Sequence, residues 1–180
     1  TPARIPIVAV TGTNGKTTTT RLIAHMAKMK GHSVGYTTSD GVYIQNMMVL
    51  KGDCTGPASA EYVLRDPSVD FAVLETARGG LLRAGLAFDH CDIGIVTNVA
   101  ADHLGLKGIH TLEQLAKVKG VIPESVMPSG YAILNADDEL VYNMRKDLKC
   151  NIAFFSMNEN NKHIKAHMKR GGLSAIYEDG

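Results

Sequence analysis

The sequence has almost no charge imbalance: 19 Lys and Arg stand against 18 Asp and Glu, for a net charge of +1. Proteins that must hold a phosphate backbone usually carry a basic excess, so nucleic acid is not expected as an obligatory partner. No apolar run approaches the ~20 residues that cross a bilayer, and the N-terminal stretch has no signal-peptide pattern. No membrane role is therefore expected, and the expected location is the cytoplasm. Cysteine is scarce. Cys54, Cys91 and Cys150 share no metal-ligand spacing, and their odd number suits reduced thiols. Internal repeats and low-complexity tracts are missing as well. What remains is an ordinary composition, 44% hydrophobic and 21% charged, on 180 residues, long enough for one domain with a real core.

Short β-branched runs alternate with helical patterns along this chain. The spacing predicts strands at 5–10, 71–76, 92–99, 131–135 and 151–156, apolar on both faces as in a buried parallel sheet. Helices are expected at 17–30, 58–65, 112–121 and 138–148. In the first, Leu22, Ile23, Met26 and Met29 read as the apolar face and Gly31 as the stop. Thr111 and Gln114 read as a capping box, and Asp137 as the N-cap of the helix after it. The fold class expected is α/β, a mostly parallel sheet flanked by helices on both faces. After about residue 150 the stretch 156–172 is polar and turn-rich, and 173–180 resembles an edge strand. The expectation is a core over about 1–150 and the start of a small β extension over about 151–180. The chain opens on Thr1 without Met and closes where a hairpin partner would follow. It is therefore expected to be a fragment whose neighbouring domains complete its function.

The densest signal is "VAVTGTNGKTTTTRLIAHM", a strand running into a glycine-bounded turn and then a helix. Gly12, Asn14 and Gly15 let the backbone amides converge at the positive end of that helix. Lys16 adds a charge for outer phosphates, and Thr17 adds a hydroxyl for Mg²⁺. Gly12, Thr13, Asn14, Gly15, Lys16, Thr17 and Thr18 form the expected phosphate site, although Val10 stands where the first glycine of such a loop is usual. Glu75 closes the strand of "LETARGG", at the carboxyl edge where ligands collect and where a carboxylate reaches a metal ion. Arg78 and Arg83 offer fork-shaped donors for carboxylate or phosphate. Asn98, Asp102 and His103 follow the next strand, and a neutral His beside an Asp can ligate metal. Asp53, Thr55 and Ser59 lie in a turn-rich loop that either faces the ligand or is a plain connection. Asn135 ends another strand, where it can donate to a base edge; Asp137 or Asp138 there can also serve only to cap a helix.

In order, "GTNGKTT", "LETARGG", "NVAADHLG", "AKVKGVI" and "LNADD" resemble the central ATP-binding domain of the Mur ligase superfamily, over nearly the whole chain. The blocks "GDCTGPASAEYVL" and "LETARGGLLRAGLAFDHCDIGIVTNVAADHLG" are similar to the Mur-like part of the cyanophycin synthetase family. The resemblance implies an ATP- and Mg²⁺-dependent, ADP-forming ligase that joins a carboxylate to an amine through an acyl phosphate. It implies Lys16 on the β/γ-phosphates, Thr17 and Glu75 on one magnesium ion, His103 at a second, Asn135 near the adenine, and Lys119 in catalysis, carbamylated or not. The implied partners are ATP, an acidic peptide or polyaspartate-type substrate, and an amino acid, arginine in this family. Arg78, Arg83, Asp53 and Thr55 are the expected substrate contacts. An ATP-grasp region before the chain, a further domain after it, and homo-oligomerisation of the parent are also implied. Without those neighbours the chain is expected to bind ATP weakly and turn over negligibly. Two rivals stay open: a peptidoglycan-precursor or folylpolyglutamate ligase, and a P-loop NTPase or kinase with no ligation step.

Overall fold

Strand β1 (Ile7–Thr11) is apolar on both faces and entirely buried, and it takes the middle of a nine-stranded sheet. This computed structural model describes residues 4–101, 105 and 108–178. Around β1 the chain lays down α1 (Lys16–Met29), β2 (Val34–Thr38), β3 (Gly41–Ile44), β4 (Met47–Lys51), α2 (Pro57–Arg65), β5 (Phe71–Glu75) and α3 (Arg78–Ala84). It continues through β6 (Cys91–Val96), α4 (Leu112–Glu124), β7 (Val126–Asn135), α5 (Glu139–Met144), β8 (Asn151–Ser156), α6 (Lys162–Met168) and β9 (Leu173–Ile176). The spatial order is β4-β3-β2-β5-β1-β6-β7-β8-β9. Only β3 runs against the other strands, antiparallel to both β2 and β4. The mostly parallel α/β fold is as expected. Among the described residues, no helix is long and apolar enough to cross a membrane.

The chain steps from β1 across to β2 and returns through β5, then continues to β6 on the other flank of β1. Connections therefore diverge on either side of β1, and a crevice opens at the carboxyl ends of the strands there. Ile7 and Ala9 pack with Val63, Leu74 and Ile122 on one face, and Val8 and Val10 pack with Ala24, Ala27 and Val73 on the other. Burial on both faces is why these strands read as continuous apolar runs. The helices divide unequally. Residues of α2, α4, α5 and α6 join the clusters of the first face, whereas among the described residues α1 is the one helix that covers the second.

Several expectations need correction. In α1 the buried stripe is Thr20, Ile23, Ala24 and Ala27, while Leu22, Met26 and Met29 are 58%, 58% and 72% exposed. Both stripes have helical spacing, but only small side chains let the helix lie close on a sheet. The helix after β7 is capped by Asp138, which accepts from the Leu140 and Val141 amides, and not by Asp137; it ends early in a short 3-10 turn at Arg145–Asp147. Asp137 instead accepts from the Ser156 hydroxyl at 2.6 Å and the Met157 amide at 2.7 Å. The polar stretch 156–172 contains α6, capped by Asn161. Through α6 the chain reaches β9, which pairs in parallel with β8 and forms the edge of the sheet, as the edge-strand reading of 173–180 expected. The Thr111–Gln114 capping box is present as expected.

Candidate functional site

Strands β2, β5, β1, β6 and β7 lie side by side and parallel, so their carboxyl ends bring Thr38, Glu75, Thr11, Val96 and Asn135 to one edge. The phosphate loop leaves β1 at this edge. Gly12 has φ +147°, and a Cβ built on it would stand 1.8 Å from Thr97 Oγ1. Gly15 precedes α1 with φ 84° and brings no capping side chain to the helix start. The first-turn amides of Lys16, Thr17 and Thr18 therefore have no partner within the helix, and the positive end of its dipole faces the crevice. Thr13 lies in the loop and Thr18 in the first turn of α1; Thr13 Oγ1 accepts from the Ala100 amide at 3.0 Å.

Residues after β6 clamp this loop. Thr13 N–H donates to the Asn98 carbonyl at 2.9 Å. The Asn98 side chain accepts from the Asn14 amide at 2.9 Å and donates to the Asn14 carbonyl at 3.0 Å, and Thr97 Oγ1 donates to that carbonyl at 2.7 Å. Asp138 in turn holds the Val99 amide at 2.7 Å. The loop's shape is thus fixed by hydrogen bonds before any ligand arrives, which lowers the ordering cost of binding. Asn98 was expected at this edge; its two-point grip on the loop was not.

On one side of the loop lies a pocket lined by Gly12, Thr13, Lys16, Ala77, Arg78, Gly79, Leu115 and Lys119. Three cationic side chains meet there. Lys16 Nζ donates to the Thr13 carbonyl at 2.8 Å, and Lys119, only 3% exposed, donates to the Gly12 carbonyl at 2.6 Å. Lys119 comes from the middle of α4, 107 residues from Gly12 in sequence. Arg78 opens α3, directly after the strand that ends in Glu75. A pocket lined by several cationic side chains suits a polyanion.

Beside it, Thr17 Oγ1 donates to Glu75 Oε2 at 2.8 Å and lies 3.1 Å from Ser39 Oγ, while the Ser39 amide donates to Glu75 Oε2 at 3.2 Å. Burial raises the Glu75 carboxyl pKa, the Thr17 hydroxyl and Lys16 lower it, and Asp53 raises it further. Among the described residues, no group of three or more His, Cys, Asp or Glu is placed to hold a metal. The oxygen set of Thr17, Ser39 and Glu75 fits Mg²⁺, which takes one or two carboxylates and completes its shell with phosphate and water oxygens. Ser39 went unnoticed in the sequence because it lies in a Thr-Thr-Ser-Asp-Gly turn between two strands that were themselves missed.

The other expected residues divide. Asn135 donates to the Thr97 carbonyl at 2.9 Å and lines an open cavity of about 500 Å³ with Asn14, Gly15, Ile95, Asn98, Ile133 and Phe155. Asp53 accepts from the Thr55 hydroxyl at 2.7 Å, which folds their loop onto α3: the Thr55 carbonyl accepts from Ala77 N–H, and Gly80 packs against Gly56. Arg83 turns back to the Gly79 carbonyl at 3.0 Å on an exposed face, so it does not join Arg78 in the pocket. Asp102 and His103 lie outside the described residues.

The Mur ligase middle domain family matches residues 10–176. The chain is 63% identical over 180 residues to a cyanophycin synthetase of Synechocystis sp., covering 100% of the chain and 21% of that protein. It thus spans about a fifth of the length of such relatives. Among solved structures, a UDP-N-acetylmuramoyl-L-alanyl-D-glutamate–2,6-diaminopimelate ligase superposes with a TM-score of 0.72 at 30% identity, over 87% of this chain and 33% of that one. The MurF ligase of Thermotoga maritima in complex with ADP gives a TM-score of 0.58 at 25% identity, over 84% and 33%. With its clamped phosphate loop, its cationic pocket and this match over nearly its full length, the chain belongs to the Mur ligase middle domain family.

Proposed function

We propose that this chain is the ATP-binding domain of an ADP-forming ligase that adds arginine to the aspartate β-carboxylate of a polyaspartate-type backbone. The observation that carries the reading is the convergence of Lys16, Arg78 and Lys119 on one pocket beside the Thr17–Ser39–Glu75 oxygens. The high identity to cyanophycin synthetase and the ADP in the related MurF ligase support the choice of substrate and nucleotide.

In this reading the triphosphate lies along the loop amides and the base enters the cavity bounded by Asn135, Ile133 and Phe155. Thr17 and Glu75, with Ser39, would hold Mg²⁺, which would offset phosphate charge. His103, in the "DHLG" motif that carries the resemblance, would hold a second ion. A substrate carboxylate oxygen attacks the γ-phosphorus, and the bond from that phosphorus to the ADP oxygen breaks. The amine nitrogen then attacks the acyl carbon and loses a proton, and inorganic phosphate leaves. The first step brings two anions together. Lys16, Arg78 and Lys119 reduce that repulsion, and the preorganised loop holds the reacting phosphorus in line. Lys119 also braces Gly12, so its side chain couples the pocket to the loop. The test is ADP release by a full-length protein carrying this chain, given an acidic primer and either arginine, glutamate or no amino acid. ADP that depends on arginine is the expected result. Equal ADP without an acceptor would refute ligation, and dependence on glutamate would refute the arginine assignment.

A further inference from the structure

Among the described residues α1 is the one helix on its face of the sheet, and an open trough lies on each side of it. One is the cavity at Asn135. The other, about 300 Å³, runs between α1 and the β3–β4 hairpin and has no part in the site above. Its lining from α1 is Arg21, His25 and Lys28, followed by His32. Arg21, His25 and Lys28 advance by four and three residues, so they form one stripe on the helix surface, and the turn after the helix adds His32 at its end. The stripe continues backward to Thr17, one turn before Arg21, and so leads to the Thr17–Glu75 corner of the phosphate site. Tyr36, stacked on Tyr43 at 4.6 Å between ring centres, forms part of the floor. Asn46 lies at the far rim and holds φ 75°, a conformation that non-glycine residues rarely adopt.

The charges are not all spent internally. Arg21 pairs with Asp40 at 2.6 Å and lies over the Tyr43 ring, and His32 pairs with Asp70 at 3.3 Å. Among the described residues, His25 and Lys28 make no ion pair and are exposed. Arg21 and Lys28 stand about 10 Å apart along the helix, the length of about three extended peptide residues. A ligand with carboxylates at regular intervals matches that spacing, and the imidazoles and Asn46 supply further donors.

We propose that this trough binds the acidic peptide substrate along its length, at residues remote from the reacting carboxylate, and guides its end to the phosphate site. The identity of the ligand rests on the ligase reading; the location of the site does not. The test is anisotropy of a labelled hexa-aspartate peptide titrated with the full-length protein, with Mg·AMPPNP saturating so that the phosphate loop is blocked. Lys28→Glu should weaken binding about fivefold and His25→Glu/Lys28→Glu further, whereas Lys28→Arg should stay within about twofold of wild type. Unchanged affinity for Mg·AMPPNP in each variant would show that the fold is intact. No peptide binding by wild type, equal binding by Lys28→Glu, or displacement of the peptide by Mg·AMPPNP overturns the proposal. If the peptide binds through Lys28 but arginine never stimulates ADP release, the ligase reading fails and the trough stands. If arginine is ligated while Lys28→Glu binds the peptide normally, the reverse holds.

Discussion

Gly12→Ala probes the joint on which the site is built. A Cβ at this position would sit 1.8 Å from Thr97 Oγ1, 3.1 Å from Thr97 Cβ and 3.2 Å from the Asn98 amide. Ordinary contact begins near 3.4 Å, so Thr97 or the loop must move by more than an ångström. Thr97 is 9% exposed, and its hydroxyl donates to the Asn14 carbonyl at 2.7 Å and the Thr11 carbonyl at 3.3 Å. Rotating it away loses about 1 kcal/mol for the better of those bonds. Overpacking adds about 1–3 kcal/mol, and an L residue at φ +147° adds about 1–2 kcal/mol. The sum is about 4 kcal/mol, a large share of the stability of a domain this size. In a thermal melt of the 180-residue chain, that corresponds to a fall of about 10 °C. The clash is specific, so its cost should shrink in a Thr97→Ala background, where the hydroxyl is gone. A Gly12→Ala variant within about 1 kcal/mol of wild type, or a cost equal in both backgrounds, would refute the reasoning.

Glu75→Gln should raise stability at pH values above the raised carboxyl pKa while abolishing the dependence of ATP affinity on Mg²⁺. Burial lifts the folded pKa of Glu75 above its unfolded value, so the folded state binds the extra proton between the two and loses stability as pH rises through that interval. The gain from Gln should accordingly vanish below about pH 4, and chemical denaturation across pH together with calorimetry would check both parts. Asn98→Ala removes the two-point tie to Asn14; about 1 kcal/mol of stability and about tenfold in ATP affinity should be lost, read by urea unfolding and calorimetric titration.

Legibility in the sequence followed chain locality. The buried strands announced themselves because apolar runs between helical stretches have few other solutions, and the phosphate loop did so because its chemistry is contiguous. The segment 34–51 did not, since "VGYTTSDGVYIQNMMVLK" mixes Gly, Thr and turn residues into three short strands. The face of α1 was misread because large apolar side chains outweigh alanines in any pattern, although alanines make the closer contact. Asn98 clasping Asn14, Ser39 against Thr17, and Lys119 under Gly12 join residues 84, 22 and 107 positions apart. Those pairings depend on strand order, which no local pattern encodes.

The central claim is that the loop at residues 12–17 and its cationic neighbours hold a magnesium-bound triphosphate. It is tested most directly by calorimetric titration of Mg·ATP into the chain and into its Lys16→Ala variant. Lys16 hydrogen-bonds the loop's own Thr13 carbonyl and otherwise acts on Glu75 through its charge, so its removal should leave the melting temperature within about 2 °C. The expected result is binding by wild type and a loss of about 100-fold or more in the variant. Equal affinity in the two proteins would contradict the account.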